Sequence, residues 1–557
     1  MNKTKRAITP GNFVNRIPEL LFLVSILITV FTTWHVTGSI LDSDASSELV
    51  LAHQLSQTHQ LLSQDWLYST ELRVLNTQLV YTPLFWIFDD WHLVRFFGAL
   101  ILQTIMILSY AFLLQEARCS RRIFFLSASI LLLPVSITYG RIVLYHCFYI
   151  PHIALSFFLV GLTLGYTREV NWKKPKAYLR LFLLLLFSFI GGLGSVRQLM
   201  ITHAPLLLSA VIFAFLEDTH DKEPEKAAIF SRGWRTLFAV AALSALASVA
   251  GLKVNTDILS KYYSFGQQSQ NTLGFIPAVY FGDILYGYFH QFGFRDGVPM
   301  LSLTGILSLA GIVVGVYCLV ISIQKFSRHR KGCDIGKTIL YSFFFYYTVI
   351  MMAVFIVTGG KQHYFFPLYL VLCLSWAAPT LILNLEQISP QLHPFHAKRL
   401  FSWLCIILLM VNSFANVTFL YGSKTFDQVY EGLRFKNMHQ VEDISGAADF
   451  LTNGGYDIGY ASFWNANIIT EMTDGGTRMI NLEFNPGDGN IWYHNWLTSL
   501  YLREIPAEKP FLLLSAEETG SFADSDSRKY CTQVYKDDKY CVFRISDIEE
   551  FIKLLYA

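Results

Sequence analysis

The stretch SILDSDASSELVLAHQLSQ, residues 39–57, sets three carboxylates, Asp42, Asp44 and Glu48, directly behind a long apolar run. A carboxylate so placed can serve as a general base, taking the proton of a hydroxyl as its oxygen attacks an electrophilic carbon. On a helix Asp44 and Glu48, four residues apart, point the same way. Asp is also a favoured helix N-cap, and Asp44 at the start of a helical stretch fits that structural role as well. Asp42-Ser43-Asp44 is in addition a D-x-D pair, a pattern that elsewhere holds a divalent ion against a nucleotide. No Gly-rich phosphate cradle accompanies it. A divalent cation therefore stays open as a cofactor, and no metal-ligand set is assigned.

Cations supply the complementary chemistry, because fixed positive charge stabilises an anionic leaving group. TYGRIVLYHCFYIPH carries Arg141 and His146, GGLGSVRQLMITHAP carries Arg197, and VTGGKQHYFFPLYL carries Lys361 and His363. All lie near the ends of apolar runs, where an ionisable group either serves a functional site or snorkels to the headgroups. His146, His152 and His203 do not have zinc-type spacing, which favours structural roles for them.

The elements that must hold these groups are membrane helices. Of 557 residues, 53% are hydrophobic and 15% charged, where a soluble chain carries about a quarter charged. A net charge of +2 without a basic block gives no sign of a nucleic-acid partner. With about 20 apolar residues needed to cross the hydrocarbon, spans are expected near 18–40, 94–114, 123–139, 147–166, 180–195, 201–217, 236–252, 302–324, 338–358, 366–384 and 401–421. The basic, then apolar start lacks a small-residue cleavage site and reads as an uncleaved first span. Lys and Arg crowd alternate connections, such as Arg118, Arg121 and Arg122 or Lys325, Arg328 and Arg330. This predicts a multi-pass protein of the plasma membrane with a cytoplasmic N-terminus. The opening carboxylates then lie outside the cell.

After about residue 422 the pattern changes to short strands, YDIGYASF, TRMINLEF and KPFLLLSA, with WNANIITEMTDGG as a helix and KYCTQVYKDDKYCVFRISD as a hairpin. We expect two domains: a transmembrane domain over 1–421 and a small extracytoplasmic α/β domain over 422–557. Cys531 and Cys541 flank the hairpin turn, where a disulfide and two free thiols are both open. Trp464, with Asn465 and Asn467, marks a strand-to-helix turn suited either to sugar contact or to capping. In the first outer loop, 41–93, Leu49, Ala52, Leu55 and Leu62 recur at helical spacing, which predicts an amphipathic helix lying in the membrane interface.

Farther along that loop runs QDWLYSTELRVLNTQLVYTPLFWIFDDWHLVRFFGAL. Over about fifty residues the chain resembles the C-type-fold membrane glycosyltransferases, the group of protein O-mannosyltransferases and lipid A aminoarabinose transferases. Asp44 stands at the family's leading acid, Asp65-Trp66-Leu67 at its D-W-L, Pro83-Leu84-Phe85-Trp86 at its P-L-Y-Y, and Arg95 at the Arg entering the second span. His363-Tyr364 and Pro367 stand at its R-Y-x-x-P. Two positions depart: Ala45 follows Asp44 where many relatives have a second acid, and Tyr81-Thr82 replaces a Lys that helps hold the lipid phosphate. The resemblance implies about 11 transmembrane helices with a C-terminal α/β domain. It also implies transfer of a sugar from a polyprenyl-phosphate donor to a hydroxyl of a glycan, lipid or protein. Asp44 would be the base, with Asp42 second; Arg141, Arg197, Lys361, His363 and Arg95 would hold the donor phosphate. Glu48, His146, Tyr364 and Trp464 would contact acceptor or sugar. A transporter or flippase of lipid-linked glycans is the rival, although no inverted repeat is visible. A ligase or polymerase of whole glycan chains is the third reading.

Overall fold

The computed structural model describes residues 16–70, 72–168, 174–215, 224–265, 274–327, 334–358, 370, 372–387, 397–421, 440–485, 487 and 489–555. Among them eight helices are long and apolar enough to cross a membrane: α1 (Ile17–Ser39), α4 (Trp91–Glu116), α6 (Ile150–Thr167), α7 (Pro175–Gly194), α9 (Pro224–Asp257), α11 (Leu303–Ser327), α12 (Ile335–Val357) and α14 (Ala397–Leu420). The three other expected spans are shorter helices: α5 (Arg121–Leu131), α8 (Ala204–Phe215) and α13 (Leu372–Gln387). Apolar runs alone do not set helix length. The run after α5 meets Pro134 and Ser136, and the chain restarts as a turn at Ile137–Tyr139 that continues into a π-helix, Gly140–Tyr145.

Small and polar residues bring the helices together, as expected where lipid offers no hydrophobic gradient between them. On α1, Leu20, Leu23, Leu27 and Phe31 face outward, while Ser25, Thr29, Thr33 and Thr37 are buried. Helices α7 and α9 meet across two glycines: a Cβ on Gly192 would overlap the Ser248 carbonyl, and one on Gly251 the Phe189 carbonyl.

Between α1 and α4 lie α2 (Ser43–Thr58), β1 (Trp66–Tyr68) and α3 (Gln78–Leu84). The described part of the next long connection contains β2 (Ser264–Phe265) and α10 (Phe281–His290). The C-terminal domain follows as α15 (Gln440–Asn453), β3 (Ile458–Ser462), α16 (Phe463–Met472), β4 (Arg478–Phe484), β5 (Ile491–Tyr493), β6 (Thr498–Ser499), β7 (Phe511–Ser515), α17 (Ala516–Phe522), β8 (Cys531–Lys536), β9 (Tyr540–Ile545) and α18 (Ile548–Lys553). Every strand and helix expected after residue 456 is present. The sheet runs β5-β4-β3-β7-β9-β8, parallel at β4-β3-β7 and antiparallel at both flanks. One face buries Ile444, Leu451, Ala466 and Ile469 of α15 and α16; the other buries Phe522 and Phe551 of α17 and α18. Cys531 stands opposite Ile545 and Cys541 opposite Lys536, and both thiols are free and buried. The cross-strand register thus keeps them out of disulfide pairing.

The domain is stitched to the membrane part. Strand β1 pairs with β2 on one side and with β6 on the other, joining two connections of the bundle to the C-terminal domain. Leu41 enters the core beneath α15 and α16, and Leu51 and Leu55 of α2 pack with Phe463 and Leu497. Helix α2 is thus covered by the C-terminal domain, and its small residues Ser43, Ala45, Ser46, Ser47 and Ala52 are buried.

Candidate functional site

The site grows from the start of α2. Asp42, not Asp44, is its N-cap: the backbone there is extended, and Oδ1 accepts from the N–H groups of Asp44 (3.1 Å) and Ala45 (3.4 Å). Its other oxygen, Oδ2, accepts from Arg141 Nη2 at 3.1 Å. Both oxygens of Asp42 are thus engaged structurally. Asp44 occupies the first helical turn, half-buried, and its charge acts on the Arg73 guanidinium. One turn farther, Glu48 is buried; its Oε2 accepts from Thr77 Oγ1 and its Oε1 pairs with Arg73.

Arg73 is the centre of this group, and its side chain is only 10% exposed. Burial pushes its pKa down to about 10; Asp44 raises it and the neighbouring positive charge of Arg197 lowers it. It remains charged at neutral pH. Arg197, half-buried, lies over the Tyr149 ring at 5.1 Å from the centroid, with Nη1 3.4 Å from His152 Nε2. The two positive charges are thus near enough to repel each other. A cleft lined by Arg73, Asn76, His152, Ser195 and Gln198 opens beside Arg73. On its wall the buried Arg73 Nε and Gln198 Oε1 have no hydrogen-bond partner among the described residues. The buried cation with its unpartnered Nε–H fits an anionic oxygen, and the Gln198 Oε1 acceptor fits a hydroxyl.

Arg141 projects from the π-helix Gly140–Tyr145 and is buried, which lowers its pKa to about 10 against the opposing effect of Asp42. His146 Nε2 lies 3.1 Å from the Ile40 carbonyl, to which it donates. Burial first, then Arg141, pushes its pKa to about 3, so it is neutral. This ring fixes the end of α1 immediately before the Asp42 cap.

Asp42, Asp44, Glu48, Arg141 and His146 are therefore brought together, with Arg197 reaching the group through Arg73. Arg95 is turned elsewhere. It is 0% exposed and forms a two-pronged pair with Glu471, 5% exposed, through Nε–Oε1 and Nη2–Oε2 contacts of 2.5 Å. The Trp91 N–H donates to Asp474 Oδ1 at 2.9 Å beside it. Arg95 thus holds the C-terminal domain on α4. Trp464 is 49% exposed at the start of α16, whereas Asn465 and Asn467 are buried and bond Ser462 and the Leu497 carbonyl. Lys361, His363 and Tyr364 lie outside the described residues. Among the described residues no three His, Cys, Asp or Glu gather as a metal site.

Sequence reasoning did not assign Arg73 or Glu471 to the site. Arg73 had a signal, being one of few basic residues in its set of connections. Glu471 had none.

No family model matches the chain, and no curated protein matches it. Two solved structures are similar to it in fold. ArnT from Cupriavidus metallidurans bound to undecaprenyl phosphate is 10% identical, with a TM-score of 0.47 over 96% of this chain and 98% of that one. The Archaeoglobus fulgidus oligosaccharyltransferase in the apo form is 11% identical, with a TM-score of 0.48 over 94% of this chain and 73% of that one.

Proposed function

We propose that the protein is an integral-membrane glycosyltransferase. It moves a sugar from a polyprenyl-phosphate carrier to an acceptor hydroxyl on the non-cytoplasmic side of the membrane. The observation that carries this reading is the buried Arg73 guanidinium beside the start of α2, on the wall of the cleft and acted on by the charges of Asp44 and Arg197. Asp44 is the carboxylate of this turn not used as the helix cap, and it takes the acceptor proton as the hydroxyl oxygen attacks the anomeric carbon. The bond from that carbon to the phosphate oxygen breaks, and the polyprenyl phosphate departs with the electron pair. Arg73 and Arg197 stabilise its growing negative charge, in an enclosed setting where such contacts are worth more than in water. Arg73 takes the phosphate-holding task that a Lys performs in the family the sequence resembles. The alternation of Lys and Arg along the connections supports the non-cytoplasmic orientation.

The test is incubation of the purified chain with polyprenyl-phosphate sugars, with mass spectrometry following release of polyprenyl phosphate. Asp44→Asn should lower transfer by about 10²–10⁴-fold while the protein stays folded in micelles. Unchanged transfer in that variant would refute the assignment.

A further inference from the structure

Strand β5 is the outer edge of the C-terminal sheet, and the chain there reads IWYHNW, residues 491–496. Glu483 on β4 stands directly across from Trp492. Its Oε2 accepts from Trp492 Nε1 at 3.2 Å and lies 3.0 Å from His494 Nδ1. The His494 ring packs 5.1 Å from that of Phe463, which packs 5.2 Å, near-perpendicular, from Trp464. These contacts join Trp492, Glu483, His494, Phe463 and Trp464 in a row whose surface is formed by Trp492, Glu483 and Trp464, with His494 and Phe463 buried as its support. Its carboxylate is 49% exposed.

We propose that this row binds a carbohydrate chain, which is the acceptor of the transfer; the inference rests on the transferase reading above. The chemistry of the row favours this occupant. A sugar ring has an apolar face of C–H groups and a rim of hydroxyls. Indole rings are rigid platforms for the first, and a carboxylate anchored by two donors keeps acceptor capacity for the second. A peptide adding to the edge would need a longer strand than the three residues of β5. The position also fits. Phe463 joins the row to Leu51 and Leu55 of α2. At 1.5 Å per residue Leu51 is about 10 Å along that helix from Asp44. A chain laid along the row would thus extend toward the carboxylate that deprotonates its terminal hydroxyl.

The experiment uses the full chain in micelles and short oligosaccharides cut from the source cell's envelope polysaccharide, with a peptide digest of the same envelope as comparator. Oligosaccharides should quench the tryptophan fluorescence, and Trp492→Ala or Trp464→Ala should weaken this about fivefold, the factor expected for loss of one aromatic contact. The acceptor KM should rise by a similar factor with little change in kcat. Glu483→Gln, which keeps size and fold, should act in the same direction and carries the test if an indole truncation disturbs the domain. Oligosaccharide binding that ignores all three substitutions overturns the inference, as does binding of the peptide digest alone. Release of polyprenyl phosphate by the unaltered chain supplied with simple alcohols as acceptor hydroxyls separates the two ideas. If release occurs without glycan binding, only the acceptor row fails; if no release occurs, the transferase reading fails.

Discussion

Replacing Glu471 by Gln tests whether the C-terminal domain is part of the catalytic framework. The substitution preserves shape but leaves the Arg95 charge buried, with one carbonyl oxygen in place of a two-pronged carboxylate. Removing one partner of a buried ion pair costs about 3–5 kcal/mol. At 1.4 kcal/mol per factor of ten, this raises the undocked population by on the order of 10²–10⁴-fold. The cost should appear in urea unfolding of the full chain in micelles, followed by tryptophan fluorescence. The companion variant, Arg95→Met with Glu471→Leu, removes both charges and should recover most of the loss, because two apolar side chains avoid the desolvation penalty. Since α16 presses on α2, transfer should fall in the single variant and return in the double one. The reasoning is refuted if Glu471→Gln costs less than about 1 kcal/mol, the scale of an exposed pair. It is equally refuted if the double variant is as unstable as the single one.

Three further outcomes follow from the same geometry. Arg197→Gln should raise the donor KM by about tenfold, the scale of one lost charge-assisted hydrogen bond, and leave the acceptor KM unchanged; the reverse split would place Arg197 on the acceptor. His146, held neutral with its pKa near 3 instead of 6.5, contributes stability that is complete above pH 6.5 and is lost as the pH falls toward 3. Linkage gives a loss of about 2–3 kcal/mol by pH 4.5, which His146→Gln should abolish while keeping a donor for the Ile40 carbonyl; an equally acid-labile variant would exclude His146 as the cause. Cys531 and Cys541 should label with maleimide only after denaturation, because both thiols are buried; a peptide carrying a bond between them would contradict the strand register.

The sequence announced some levels of this structure and not others. The C-terminal strands were legible because YDIGYASF, TRMINLEF and KPFLLLSA are short apolar runs set off by Gly, Asp and Pro, and backbone pairing turns that local signal into a sheet. Long spans were legible for a similar local reason. The shortened α5 was not, since hydropathy averages across Pro134 while a helix does not. The burial of α2 was also hidden. Its Ser residues read as the polar side of an amphipathic helix, yet with Ala45 and Ala52 they are the small residues that let another helix approach. The choice depends on α16, more than four hundred residues away, and no local pattern contains that information.

The same separation of local from distant governs the site. Spacing marked Asp42, Asp44 and Glu48 as candidates but could not distribute their tasks, because each task is set by a partner. A backbone turn and Arg141 take Asp42; Thr77 and Arg73 take Glu48. What distinguishes Asp44 is that its neighbours on α2 already cap the helix and pair with one side of the buried arginine. Two structural carboxylates therefore fix the register of the helix and the direction of Arg73, and the charge of a third, Asp44, acts on the same cation. If Glu48 were the base, its proton would have to leave a buried pair with Arg73, breaking the contact that holds the phosphate-binding cation in place. If Asp42 were the base, protonation would release both the helix cap and Arg141. Asp44 is neither the helix cap nor the partner of Arg141, and its charge already acts on Arg73, so the proton transfer is assigned to it.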